Sequence, residues 1–201
     1  RVRIRFGESA SEAMGTPNND HSLHDHDTRV PWYGHIELGN TGFRFVRVDL
    51  GGNPEIPAIV DSDTGLTLME SGAILMYLAG KAGRLLPAEP ERYWETIQWL
   101  MWQKGGLGPM LGQAHHFHRF NAGKYPYPEE RYTKEAKRLY KVLDGQLSNR
   151  DFVAGAYSVA DIAIFPWAAR FEWQGIDLGA YPNVKRWYVA IAGREAVKRG
   201  Y

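Results

Sequence analysis

The chain has 201 residues, 44% of them hydrophobic, and 24 basic against 23 acidic side chains leave a formal net charge of +1. That length suits one generous domain or two compact ones, and charges of both signs interspersed along it provide no field that would steer nucleic acid or an anionic membrane. The absence of cysteine excludes disulfide bonds, thiolate metal sites and a protein thiol nucleophile, so any sulfur chemistry must be imported. Small molecules and protein partners remain. The most apolar stretch, Ile74 to Leu78, is far shorter than the ~20 residues of a bilayer span, and no signal-peptide pattern opens the chain. The expectation is a cytoplasmic protein; because the sequence opens on Arg1, a targeting signal upstream would lie outside it.

Apolar and basic residues alternate from Val2 to Phe6 and again from Phe43 to Leu50, the period of strands with one buried face. Between them the polar stretch from Asn18 to His35 has neither helical nor strand period and reads as a loop. Ile56-Pro57-Ala58-Ile59-Val60 predicts a short strand whose proline suits a sheet edge or a cis bond. A turn over Asp61 to Gly65 and a strand over Leu66 to Met69 complete a hairpin. From Glu70 the period turns helical, with Ala73, Ile74, Tyr77 and Leu78 on one face and Gly83 as the stop.

Everything beyond Leu86-Pro87 is helical in period, which predicts two domains, 1–86 and 87–201. Pro90 opens a helix so rich in Trp94, Ile97, Trp99, Leu100, Met101 and Trp102 that a core position is expected. Gly105, Gly106, Gly108 and Pro109 interrupt it, Met110 to Phe120 resumes with a histidine cluster, and Pro128 opens a long amphipathic helix through Leu147. Ser158 and Asp161 have the spacing of a capping box, ahead of an apolar helix over 162–170. Pro182 starts a last helix carrying Val184, Trp187, Tyr188 and Ile191.

Three features together resemble the glutathione transferase superfamily, in particular its bacterial nu class and fungal prion-like branch. They are I-P-A-I-V at 56–60 with L-M-E-S-G-A-I-L-M-Y-L-A at 68–79; the box S-V-A-D at 158–161; and the run G-P-M-L-G-Q-A-H-H-F-H-R-F with E-R-Y at 130–132, R-L-Y-K-V-L-D at 138–144 and Y-P-N-V-K-R-W at 181–187. The resemblance extends from Phe43 to Tyr201. It implies an α/β plus all-α architecture, with an abridged thioredoxin-like domain that binds glutathione followed by the helical C-terminal domain of the family. It also implies a glutathione-dependent disulfide reductase or a glutathione transferase, acting as a homodimer.

The chemistry of the residues agrees with this. Ile56 ahead of Pro57 would offer its amide and carbonyl to the cysteinyl segment of glutathione, since proline cannot donate to a ladder. The helix start at Glu70 and Ser71 offers backbone amides, the helix dipole and a hydroxyl to the γ-glutamyl carboxylate, and Glu70 would take the ammonium. By resemblance, Thr16 and Asn18 of T-P-N would hydrogen-bond the glutathione sulfur and lower its pKa. Arg131 within E-R-Y would reach a glutathione carboxylate across the dimer interface, and the apolar cleft for the second substrate would draw on the histidine segment and 162–173. Disulfide reduction is favoured over transfer to an electrophile.

The sequence departs from the family in two places: the amphipathic helix expected after T-P-N is replaced by a His/Asp-rich stretch, and only Gly51 to Pro54 separate Leu50 from Glu55. Hence the alternative reading, a non-catalytic dimerisation or regulatory module of transferase type. His21, His24, His26 and His35 with Asp20, Asp25 and Asp27 have ligand chemistry but no fixed scaffold, so a solvated loop is expected and no metal.

Overall fold

The computed structural model of the chain describes the backbone of residues 2–6, 34–38 and 41–45, and residues 57–200 with their side chains. The His/Asp-rich stretch up to Tyr33 and the segment Gly51 to Pro54 lie outside these described residues. The chain divides into two compact units, Arg1–Ala82 and Gly83–Tyr201.

In the first unit, strands β1 (Val2–Phe6), β2 (Gly34–Leu38), β3 (Thr41–Phe45), β4 (Ala58–Asp61) and β5 (Thr67–Met69) form one sheet in sequence order. Every neighbouring pair is antiparallel. Gly34 and His35, which the sequence reading places in a loop, belong to β2. G-H-I-E-L and T-G-F-R-F alternate in the strand period, and the Leu38–Thr41 pairing leaves Gly39-Asn40 between them, a combination that favours tight hairpins. Helix α1 (Ser71–Ala82) follows β5, and its Ile74 packs with Ile59 of β4 in a small core bordered by Leu68, Tyr77 and Leu78.

The second unit is helical. Helix α2 (Pro90–Trp102) is capped by Glu89, whose carboxylate accepts the amides of Glu91 at 3.0 Å and Arg92 at 2.9 Å. It is not the all-round core helix expected. Thr96 and Leu100 are buried, but Trp94 is 60% and Met101 48% exposed, so its aromatic density is shared between two faces. The glycines do not break it either. Residues Gln103–Leu107 form a π-helical turn, with the Gly108 amide donating to the Gln103 carbonyl, and helix α3 (Gly108–His115) continues directly. Gly108 has a positive use here: a Cβ on it would meet Gln103 Nε2 at 2.6 Å and Trp167 Nε1 at 3.2 Å. A second π turn, His116–Phe120, ends this rod.

Helix α4 (Pro126–Gln146) begins two residues before Pro128. Both prolines lie in the first turn, where the amides have no intrahelical acceptor and a missing N–H costs nothing. Helix α5 (Val159–Ala168) is the apolar central element, and α6 (Pro182–Ala192) and α7 (Glu195–Lys198) close the unit. The start of α6 is capped from a distance, Asp144 of α4 accepting the amides of Asn183 at 2.8 Å and Val184 at 3.1 Å. Leu100, Leu107, Leu111, Leu139, Tyr140, Leu143, Ile164, Trp187 and Ile191 are all but sealed from solvent. At roughly 1.5–3 kcal/mol for each large apolar side chain buried, this core is the main source of the unit's stability.

Candidate active site at the end of the β4–β5 hairpin

The register of β4 and β5 builds the site. Asp61 donates its amide to Leu66 at one end, and the pairing runs through Val60–Thr67 and Ile59–Leu68 to Ala58–Met69. Pro57 directly precedes β4 and Glu70 directly follows β5 at this end of the hairpin, where the sheet gives way to α1. Pro57 is half-buried, Glu70 is exposed, and Ser71 is the half-buried first residue of the helix. These sequence-predicted residues are therefore gathered at one hairpin end. Thr16, Asn18 and Ile56 lie outside the described residues.

Glu70 has φ 66°, in the left-handed region that a residue with a Cβ enters at a cost of roughly 1–2 kcal/mol. The turn from strand to helix needs this conformation, yet the position is not glycine. The first α-helical bond of α1 runs from the Ile74 amide to the Glu70 carbonyl at 2.9 Å. The amides of Gly72 and Ala73 therefore precede the hydrogen-bonded ladder, at the positive end of the helix dipole. A carboxylate acceptor and a helix N-terminus side by side fit a zwitterion, which carries an ammonium and a carboxylate on one carbon.

A second cluster fixes this helix to the hairpin. Asp61, its side chain sealed from solvent, accepts Lys81 Nζ at 2.7 Å and the Tyr77 hydroxyl, and Lys81 also reaches Asp63 at 2.7 Å. Lys81 and Tyr77 hold the Asp61 carboxyl far below the usual carboxylate range, and Asp61 in turn raises Lys81. The sequence reading took Asp61 only as the start of a turn. The available signal was the spacing of Tyr77 and Lys81, four residues apart on one helix face, following D-S-D.

Arg131 belongs to the second unit. It is exposed on α4, its guanidinium 5.5 Å from the Tyr132 ring centre, in an open groove of about 390 Å³ that Tyr127, Glu130 and Lys134 also line. Of the histidine segment, His115 is buried, with its ring stacked on Phe120 at 5.0 Å. His116 pairs with Asn121 at 3.1 Å, and His118 faces Glu129 at 3.8 Å. Among the described residues, no group of three or more His, Asp or Glu side chains could hold a metal ion, and no helix is long and apolar enough to cross a membrane.

A sequence profile of the glutathione S-transferase C-terminal domain matches residues 109–195. The chain is 46% identical over 180 residues to the disulfide-bond oxidoreductase YfcG of Escherichia coli (strain K12), an alignment that covers 80% of this chain and 84% of that protein. The chain belongs to the glutathione S-transferase superfamily. A second member from the same organism, the disulfide-bond oxidoreductase YghU, is 40% identical over 163 residues, which are 76% of this chain and 57% of YghU. Among solved structures of the superfamily, the glutathione transferase of Pseudomonas putida with one glutathione disulfide bound per subunit superposes with TM-score 0.68 at 45% identity, covering 75% of this chain and 70% of that one. This chain thus has the glutathione transferase fold, a small sheet-containing unit followed by the helical C-terminal domain of the superfamily.

Proposed function

We propose that this superfamily member is a glutathione-dependent thiol–disulfide oxidoreductase, with glutathione transfer to an electrophile as the related reaction of the same bound thiol. The observation that carries the reading is Glu70: an exposed acid held at positive φ, at the end of the β4–β5 hairpin that Pro57 opens and directly before the first residues of α1. Backbone strain of this kind persists where a site requires it. In this reading the α-carboxylate of glutathione lies against the α1 amides and Ser71, its ammonium on Glu70, and its cysteinyl segment along Ile56-Pro57. Thr16 and Asn18 then hydrogen-bond the thiolate and keep it deprotonated near neutral pH. Reduction of a disulfide R–S–S–R by two glutathiones yields two thiols and one glutathione disulfide, so a chain without cysteine suffices.

The same reading includes a cytoplasmic homodimer of two-domain subunits, the boundary falling near residue 87, in which Arg131 supplies a cation to the partner's glutathione. The relatives named oxidoreductases and the neighbour crystallised with glutathione disulfide support the glutathione-dependent chemistry of this reading. Calorimetric titration with reduced and with oxidised glutathione tests it, paired with a coupled assay of glutathione-dependent reduction of a small disulfide. Micromolar to millimolar binding with turnover, both lost in Glu70→Ala, is the expected outcome. A folded protein that binds neither form would instead be the dimerisation or regulatory module.

A further inference from the structure

Within the second unit, one side of α4 carries an open groove of about 570 Å³. Lys137, Arg138, Lys141 and Asp144 of the helix form one wall, and Ala180 and Tyr181, where the 3-10 turn Leu178–Ala180 runs into α6, form the other. The second wall is held in place by Tyr181. Its hydroxyl donates to the Lys137 carbonyl at 3.3 Å, and its ring lies 5.5 Å from that of the buried Tyr140.

The charges of the groove do not balance. Lys137 and Lys141 are exposed and stand four residues apart, so they share one face of the helix. Two other cations of α4 are paired, Lys134 with Glu130 at 2.5 Å and Arg138 with Glu135 at 2.7 Å. Among the described residues, neither Lys137 nor Lys141 has a carboxylate within ion-pairing distance. Asp144, the one acid in the lining, faces the other way. Its Oδ1 accepts the backbone amides of Asn183 and Val184, and its Oδ2 accepts the Asn183 side-chain amide at 3.0 Å, at the positive end of α6. Like charges at this helical spacing repel, so an anion lodged between the two ammoniums would stabilise the helix as well as itself.

We propose that this groove is a binding site for phosphate monoesters of small organic molecules. The dianionic phosphate lies between the Lys137 and Lys141 ammoniums, whose rotatable donors suit its three equivalent oxygens, with the Arg138 guanidinium at the rim. The organic part lies along Ala180, Tyr181 and the methylene stems of the lysines. A carboxylate or sulfate ester carries one charge for two free cations. Inorganic phosphate matches the charge but leaves the rest of a groove of small-molecule size unfilled.

The test is calorimetric titration of the full chain, in phosphate-free buffer at about pH 8, with phenyl phosphate, phenyl sulfate and inorganic phosphate. At that pH the monoester, with its second pKa of about 6, is a dianion. Phenyl phosphate is expected to bind, with phenyl sulfate and inorganic phosphate each at least about tenfold weaker, since a charge-assisted hydrogen bond is worth about that factor or more. Lys137→Gln and Lys141→Gln, both at exposed positions, should each weaken phenyl phosphate about tenfold without lowering the thermal unfolding temperature. Lys134→Gln removes the same charge from the same helix outside this groove, and should leave the affinity as in the parent. No binding of phenyl phosphate, equal affinity for phenyl sulfate or for inorganic phosphate, a loss in Lys134→Gln as large as in Lys141→Gln, or unaltered affinity in the double variant of Lys137 and Lys141 would overturn the proposal.

Discussion

Trp187 donates its indole N–H to the carboxylate of Asp161 at 2.9 Å, joining the last long helix to the central one through a pair of fully buried side chains. The same carboxylate accepts the amides of Val153 at 3.1 Å and Ser158 at 3.0 Å and the Ser158 hydroxyl at 3.1 Å. Burial pushes the Asp161 carboxyl up in pKa, and these donors oppose the push. Asp161→Ala strands several buried donors at once, each costing roughly 1–3 kcal/mol, so a loss of about 3 kcal/mol or more is expected in denaturant unfolding. Asp161→Asn retains an acceptor oxygen and should lose less. Equal losses for the two would mean that shape and not hydrogen bonding is what the site requires.

Glu70 separates stability from binding. Glu70→Gly relieves the left-handed conformation and should leave the chain as stable as the parent or up to about 1 kcal/mol more so, while glutathione binding disappears. Differential scanning calorimetry and titration on one preparation read both quantities. A glycine variant that is less stable and binds normally would show that the side chain is structural.

Asp61 makes the first unit sensitive to acid. Its carboxyl is depressed in the folded chain by Lys81 and Tyr77, so the fold binds fewer protons there than the unfolded chain does. Its contribution is therefore present above the unfolded value of about 3.9 and is lost as pH falls through that value toward the folded one. Asp61→Asn should be less stable than the parent at pH 7, with the gap closing below about pH 4. Hydrogen exchange of α1 amides at pH 7 and urea unfolding at both pH values measure it; a gap of the same size at pH 3 would contradict the assignment.

Gly108 is needed for close approach. A Cβ there would stand 2.6 Å from Gln103 Nε2 and 3.2 Å from the Gln103 carbonyl oxygen, and Gln103 is itself buried. Gly108→Ala should cost about 1–3 kcal/mol despite alanine's better helix propensity, as overpacking does elsewhere. Gly145→Ala, on the open side of α4 with nothing within 4 Å, is the control and should be neutral or stabilising.

Much of this was legible in the residues themselves. The capping box at Ser158 and Asp161, the hairpin over 58–69 and the proline starts at Pro90 and Pro182 follow from local chemistry, and local chemistry survives folding. What failed was reading glycine as punctuation. Gly105, Gly106 and Gly108 signalled a break, but Gly108 serves packing against Gln103 and Trp167, a partner 59 positions away by numbering that no window of sequence contains. The exposure of Trp94 escaped for the same reason: composition registers how apolar a helix is, and only its neighbours decide which face is covered. At the hairpin end, Pro57, Glu70 and Ser71 were named by pattern, yet the positive φ of Glu70 and the Asp61–Lys81 tie that steadies α1 belong to three-dimensional register.

The π turn at Gln103–Leu107 has a geometric consequence. A wide turn accommodates one residue more than an α turn, and one residue of α-helix is about 100° of rotation. Leu111, Ala114 and His115 face inward beyond that turn, and their phase depends on the number of residues within it. With a second such turn at His116–Phe120, the rod works like two joints in series, each aiming the segment beyond it. Deleting a single residue within 103–107 would accordingly act less as a shortening than as a rotation, swinging His115 away from Trp173 and turning the inward leucine toward solvent.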